Sequence, residues 1–333
     1  MNSYAFTCGD INGIGPEIAV KTLNELLPKE NSRFILIIPE DVFENYYAKL
    51  NLNFSYKLVR KTSHINAAAE QCIILSAGKS KMEVGRPTVE SGATSYAAIE
   101  SSIELLKLQI ADAVVTAPIS KTALKMAGIN FPGHTEIYAG AFGVKNYAMT
   151  FLSKKMNCVL ATIHEPLKNI PRLIKSNRLI NIFDLTYDTL SRDLNISEPA
   201  IAVLGLNPHA GENGYIGREE TDIILPAMGK SKCKKSLKGP FSPDAYFANK
   251  MYSKFDATVG MYHDQLLIPF KMLNFASGVN YTAGLPIIRT SPDHGVAFDI
   301  AGTNTAGISS FKEAFLAAKK INLNRKKHGR KQR

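Results

Sequence analysis

The stretch YAFTCGDINGIGPEI, Tyr4 to Ile18, decides the fold. A short β-rich run leads directly into Gly9, Gly13 and Gly15, and Pro16 and Glu17 then suit the first turn of a helix, expected from about Pro16 to Leu27. Strand, glycine turn and helix in succession make the opening unit of an α/β fold, and the helix amides favour an anion nearby. The glycine spacing is not GxGxxG. Taken alone, the turn is as well explained by structure as by a nucleotide.

The pattern repeats outward from there. RFILII follows, then ADAVVTAP, AMTFLS, CVLATIH, AIAVLGL and ATVGMYH, with amphipathic segments between them. Short apolar runs alternating with helical ones predict largely parallel strands flanked by helices. At 333 residues the chain exceeds the size of one core, so two domains are expected. SSFKEAFLAAKKI, Ser309 to Ile321, predicts a last surface helix with Phe311, Phe315, Leu316 and Ala318 on one face.

Composition narrows the function classes. The chain is 45% hydrophobic and 21% charged, as ordinary globular proteins are. No apolar run reaches the ~20 residues of a membrane span, and no signal segment opens the chain, so a soluble cytoplasmic protein is expected. Cys8, Cys72, Cys158 and Cys233 are scattered, which argues against a disulfide framework or a zinc ribbon. Cys8 is read as a small buried residue beside the turn. The net charge is +11, but the tail NRKKHGRKQR carries six of those charges, leaving +5 for the rest. Such a tail is usually solvated, and no aromatic–basic interleaving accompanies it, so no nucleic-acid partner is expected.

The candidate site residues sit where apolar runs end. His164 ends the apolar run within ATIHEPL, His209 follows VLGLNP, and His263 closes VGMYH, three of only seven histidines in the chain. Open α/β sheets keep their sites at the carboxyl ends of strands. Three imidazoles converging from such ends would suit Zn²⁺ or another divalent transition metal with an open position. Asp264 beside His263 is either a general base or a group that orients the imidazole. In FPGHTEIYA, His134 and Thr135 could hold an oxyanion at a helix start, although Thr135 as an N-cap would explain the same residues. Lys271, Asn280 and Arg289 can donate to phosphate or carboxylate. DHGVAFDIAG offers glycines for close approach to a ligand and aspartates as acceptors.

Together these blocks resemble the 4-hydroxythreonine-4-phosphate dehydrogenase family of pyridoxal phosphate biosynthesis. The resemblance runs in order through GDINGIGPE, GHTE, IHEPL, GLNPHAGE, GPFSPD, YHDQ, GVNYTAGLPIIRTS and DHGVAFDIAG. It departs at Ile11 and Asn12, where the family usually has proline and a small residue, at Leu266, and at Val296. The resemblance implies a two-domain isocitrate/isopropylmalate dehydrogenase-like fold. Residues 1–127 plus 281–333 would form the cofactor-side domain and 128–280 the metal, substrate and dimer domain, with the active site in the cleft. His164, His209 and His263 match the family's divalent-metal ligands (Zn²⁺, Mg²⁺ or Co²⁺). His134, Thr135, Lys271, Asn280 and Arg289 match its substrate and phosphate positions. His294, Gly295, Ala297 and Asp299 fall in the loop expected to carry the adenosine half of NAD or NADP. The activity implied is oxidation of 4-phosphooxy-L-threonine followed by decarboxylation to 3-amino-2-oxopropyl phosphate. A homodimer is implied as well, with His164 and His209 from one subunit and His263 from the other. Two other readings stay open: a sister dehydrogenase acting on another phosphorylated hydroxy acid such as 4-phosphoerythronate or on an unphosphorylated diol, and a metal-dependent hydrolase without nucleotide.

Overall fold

The computed structural model describes residues 1–274 and 277–331. Its first strands are β1 (Asn2–Thr7), β2 (Ser32–Ile38), β3 (Lys57–Val59), β4 (Cys72–Ser76), β5 (Ala113–Thr116) and β6 (Ala148–Leu152). They are followed by β7 (Cys158–Leu160), β8 (Ile201–Leu204), β9 (Leu237–Phe241), β10 (Ala257–Gly260), β11 (Val279–Ala283) and β12 (Arg289–Pro292). The chain divides into two units, Met1–Gly143 with Leu285–Lys319, and Val144–Gly284 with Lys320–Arg333. The first boundary falls at Gly143 rather than residue 127, so His134 and Thr135 belong to the first unit, and the expected segment 281–333 is divided, with Lys320–Arg333 in the second.

In the first unit the strands run in the order β3-β4-β2-β1-β5-β12. Every pairing among them is parallel, as the continuous apolar runs required. From β1 the chain moves outward through β2 toward β4, then returns to place β5 on the other side of β1. The opening glycine turn therefore lies at the switch point of the strand order, where open α/β sheets bind ligands. Close packing dictates its composition. Gly9 has φ +67°, and a Cβ there would stand 2.3 Å from the Pro118 carbonyl oxygen. The core behind the sheet is aromatic: Phe6 meets Phe34, Phe311 and Phe315, and Tyr4 meets Phe315, all with ring centroids within 6.0 Å.

The second unit orders its strands β11-β6-β7-β10-β8-β9. β6 runs antiparallel to both β11 and β7, and the rest are parallel. β10 lies between β7 and β8, so the loops that carry His164, His263 and His209 leave three adjacent strands at their carboxyl ends. Phe151, Leu160, Leu204, Leu266 and Phe270 pack beneath them.

The last helix, Ser309–Lys331, is longer than expected, and its buried face differs. Phe311, Ala314, Phe315 and Ala318 are buried, whereas Leu316 is half-buried. Helical spacing puts position 314 with 311, 315 and 318 and turns 316 aside by about 100°. The basic tail is helical through Lys331, with Arg333 outside the described residues, and Arg325 is not a solvated charge. Its Nε donates to Asp193 Oδ1 at 2.8 Å and its Nη2 to the Tyr281 hydroxyl at 2.9 Å. The Tyr281 hydroxyl donates in turn to Asp193 Oδ2 at 2.5 Å. Burial of Asp193 would raise its pKa, but hydrogen bonds from Arg192 and Arg325 outweigh it and hold the carboxyl below its usual range. All four cysteines are buried and none forms a disulfide. Burial pushes the Cys8 thiol up to about 12, in keeping with a packing residue. Among the described residues no helix is long and apolar enough to cross a membrane.

Candidate active site

Cross-ties between strand ends place the three histidine loops of the second unit. Thr162 Oγ1 donates to the Met261 carbonyl at 2.6 Å, joining the loop after β7 to the end of β10. Gln265 joins β10 to β8: its Oε1 accepts Met261 N–H at 2.6 Å and its Nε2 donates to the Gly205 carbonyl at 2.7 Å. The rings of His164 and His263 come to 5.5 Å between centroids, tilted by 39°. Two imidazoles on one tetrahedral ion, with metal–nitrogen bonds of about 2.1 Å, have centroids roughly 5 Å apart. The pair therefore fits a shared divalent ion. His263 Nδ1 lies 2.7 Å from Asp264 Oδ1, which leaves Nε2 turned away from the carboxylate. His209 does not join the pair: among the described residues no three His, Cys, Asp or Glu side chains lie close enough to hold a metal.

His209 opens a run of five left-handed residues, His209 to Asn213, with φ from +43° to +79°. Only Gly211 among them is glycine, and each other residue costs on the order of 1–2 kcal/mol in that conformation. Tertiary bonds must hold such a turn. Glu220, buried at the start of a π-helical turn, accepts Leu206 N–H at 2.7 Å and Asn207 N–H at 2.8 Å on Oε1. Its Oε2 accepts Asn207 Nδ2 at 2.9 Å.

A buried cation and the start of a helix lie in the first unit. Arg289 at the start of β12 is 2% exposed, and its Nε and Nη2 donate to Thr116 Oγ1 at 3.1 and 2.7 Å. Burial lowers its pKa to about 10, which Tyr138 and Glu136 oppose, so the guanidinium remains charged at neutral pH. His134 and Thr135 are the first residues of the helix His134–Ala141, whose opening amides lack intrahelical partners. Gly133 is the N-cap, so Thr135 does not cap the helix. Burial, and then the charge of Arg289, hold the His134 pKa well below 6.5, and its Nε2 is buried without a hydrogen-bond partner among the described residues. In the second unit Asn280 on β11 likewise keeps a buried Oδ1 without one, and Lys271 is exposed on the helix His263–Asn274.

The opening turn supports the segment from His294 to Ala306. Ile14 N–H donates to the Val296 carbonyl at 3.0 Å, and Lys21 Nζ to the Asn304 carbonyl at 2.8 Å. Glu17 Oε1 accepts Ala306 N–H at 2.9 Å and Lys21 Nζ at 2.6 Å. Asn12, one of the departures from the resembled pattern, is fully buried. Its Oδ1 accepts Glu83 N–H at 2.7 Å and its Nδ2 donates to the Arg86 carbonyl at 3.0 Å, tying the 83–88 loop to the turn. His294 and Asp299 are exposed on the segment, Ala297 is left-handed at φ +44°, and Gly295 leaves open space where a Cβ would stand.

The family model for pyridoxal phosphate biosynthetic protein PdxA matches residues 30–318. A 4-hydroxythreonine-4-phosphate dehydrogenase from Prosthecochloris aestuarii is 40% identical across 98% of both chains. This chain belongs to the PdxA family. A crystal structure of the 4-hydroxythreonine-4-phosphate dehydrogenase from Klebsiella pneumoniae superposes with a TM-score of 0.82 at 33% identity, covering 97% of this chain and all of that one. A terephthalate 1,2-cis-dihydrodiol dehydrogenase from Burkholderia xenovorans gives 0.65 at 25% identity, covering 95% and 97%. PdxA membership bears out the resemblance read from the motifs and is consistent with a nicotinamide-type cofactor and a divalent metal.

Within this PdxA chain, four supporting residues escaped the sequence reading: Thr116 beneath Arg289, Gln265, Glu220 and Asn12. Each bonds to backbone or to a side chain remote in sequence. Gln265, as the last residue of YHDQ beside a candidate ligand, and Asn12, as a departure from the resembled pattern, carried a signal.

Proposed function

We propose that the chain oxidises the C3 alcohol of 4-phosphooxy-L-threonine with NAD⁺ or NADP⁺ and that the product loses CO₂, giving 3-amino-2-oxopropyl phosphate for pyridoxal 5'-phosphate biosynthesis. The observation that carries the reading is Arg289, a buried cation in the same unit as a helix N-terminus that opens with His134 and Thr135. That set suits a phosphate dianion, with the guanidinium and hydroxyl donating and the first-turn amides facing the charge. Because the His134 pKa is depressed, its ring stays neutral at working pH and binds by hydrogen bonding alone. Lys271 and Asn280 of the second unit are donors of the kind the same substrate needs. His164, His209 and His263 would hold the divalent ion, which when bound polarises the hydroxyl oxygen and stabilises the charge that develops on decarboxylation. Nitrogen donors favour Zn²⁺ or Co²⁺ over Mg²⁺. Asp264 fixes the His263 tautomer through Nδ1, a positioning role that its 2.7 Å contact supports over that of a general base. The segment with His294, Gly295, Ala297 and Asp299 receives the adenosine half of the nucleotide. Four buried thiols fit a reducing compartment, and we place the chain in the cytoplasm.

The direct test is absorbance at 340 nm with 4-phosphooxy-L-threonine, divalent metal and each nicotinamide. Turnover of this substrate at least tenfold above 4-phosphoerythronate and above an unphosphorylated diol is expected. Preference for the diol would overturn the phosphate reading, and hydrolysis without reduced nucleotide would overturn the dehydrogenase reading. We further propose a homodimer with the site at the subunit interface, since among the described residues His209 does not join His164 and His263, a pairing within one chain that differs from the implied split of His164 and His209 from His263. Refolding His209→Ala mixed with His263→Ala should recover about a quarter of wild-type activity, because half the dimers are mixed and each holds one intact site. The same recovery from His164→Ala with His263→Ala follows only if His263 comes from the other subunit. Failure of both mixtures would place all three ligands in one chain.

A further inference from the structure

We propose that Glu220 positions His209, and that the metal affinity of the site is set by this buried carboxylate, which touches neither metal nor substrate. The inference rests on the reading of His209 as a metal ligand. The turn His209 to Asn213 is left-handed at every residue, a conformation that four non-glycine residues do not adopt unaided. What precedes it is fixed from one side by one group. Glu220 is 1% exposed, and its two oxygens accept both backbone amides leading into the turn and the Asn207 side chain. Asn207 Nδ2 also reaches Glu219 Oε2 at 2.7 Å, so the amide is shared between neighbouring carboxylates.

Two glycines of GLNPHAGENGYIG pack against this carboxylate, and a third against Asn207. A Cβ on Gly211 would stand 2.5 Å from Glu220 Oε2, and one on Gly205 would stand 3.0 Å from Oε1. A Cβ on Gly217 would meet Asn207 Nδ2 at 2.2 Å. Gly205 is also where Gln265 attaches the loop to the His263 strand end. Glu220 thus holds the handedness of the turn that presents His209 from within its own chain, whichever subunit supplies the other imidazoles. Glutamine at position 220 keeps the shape. It replaces one acceptor oxygen by an NH₂ that meets the Asn207 NH₂ donor to donor, and removes the charge that both backbone amides share.

The test titrates Co²⁺ alone into metal-free full-length protein and follows visible absorption. Glu220→Gln should weaken Co²⁺ binding by 10–100-fold, the range typical of groups that orient metal ligands. Glu219→Gln, which loses only a side-chain contact, should change it less than threefold. Amide hydrogen exchange over residues 206–214 should quicken in metal-free Glu220→Gln, and saturating Co²⁺ should restore kcat to within threefold of wild type, a rescue no general folding defect would show. If Glu220→Gln fails to fold, Gly211→Ala strains the same turn with every polar group in place and should show the same loss. Wild-type Co²⁺ affinity in Glu220→Gln, beside lost affinity in His209→Ala, would overturn the role of Glu220 and leave the metal site standing. Wild-type affinity in His209→Ala would instead overturn the reading of the ligand.

Discussion

Arg289 is a cation with almost no access to water, and burial of that kind makes it selective for anions. Arg289→Ala should lower kcat/KM on the phosphorylated substrate by about 30–150-fold, the equivalent of about 2–3 kcal/mol from one charge-assisted contact. The loss on an unphosphorylated analogue should be much smaller, and equal losses on both would remove Arg289 from the phosphate site. Asp193 gives a second test, read by unfolding. Because its folded pKa lies below the ordinary 3.8, its contribution is fully present above that pH and fades as pH falls through the folded value. Asp193→Asn should cost about 3–5 kcal/mol at pH 7 and flatten the acid limb of the stability curve. An acid limb as steep as wild type would mean that other carboxylates set it. The candidate ligands were legible at this scale because imidazoles and guanidiniums at the ends of apolar runs are rare. Asp193 was not, because nothing near it in sequence hints at Arg325 or Tyr281.

Among elements, the strand–turn–helix at Tyr4–Ile18 was legible because glycines, proline and acid each mark a local backbone requirement. The three histidine-bearing runs were legible as strands for the same reason. Their adjacency was not: periodicity identifies a strand but never its neighbours, and β7, β10 and β8 are brought side by side by long crossovers. Gln265 converts that adjacency into fixed distances. Gln265→Leu strands the Met261 amide and the Gly205 carbonyl in a buried setting and should lower unfolding free energy by about 2–3 kcal/mol, read as a shift in urea midpoint. Gln265→Glu, which keeps an acceptor for Met261, should lose less; equal losses would mean that packing rather than the two hydrogen bonds decides. Leu316 shows the opposite error. It is apolar and near two buried phenylalanines in sequence, yet the helix turns it aside.

For the whole molecule, length alone gives the expectation of two domains, while the boundaries of compact units depend on contacts between residues far apart in the chain. The basic tail was misread at this scale. It looks like a solvated end, but Arg325 reaches Asp193 and Tyr281 in the second unit. Deleting residues after Asn324 should therefore destabilise that unit by an amount comparable with Asp193→Asn, seen as an earlier urea transition. Unchanged stability would return the tail to the status of a solvated appendage.

The discontinuity of the first unit has a consequence for biosynthesis. Tyr4, Phe6 and Phe34 leave the ribosome early, but Phe311 and Phe315, which close the same aromatic cluster, emerge only after Val144–Gly284, the main segment of the second unit, has been translated. Residues 1–143 must wait with that aromatic face uncovered while some 140 further residues are made. A nascent chain stalled at Gly284 should show residues 1–143 open to protease, and one extended past Lys319 should show them protected. In the cell, that interval is when the chain most needs a chaperone.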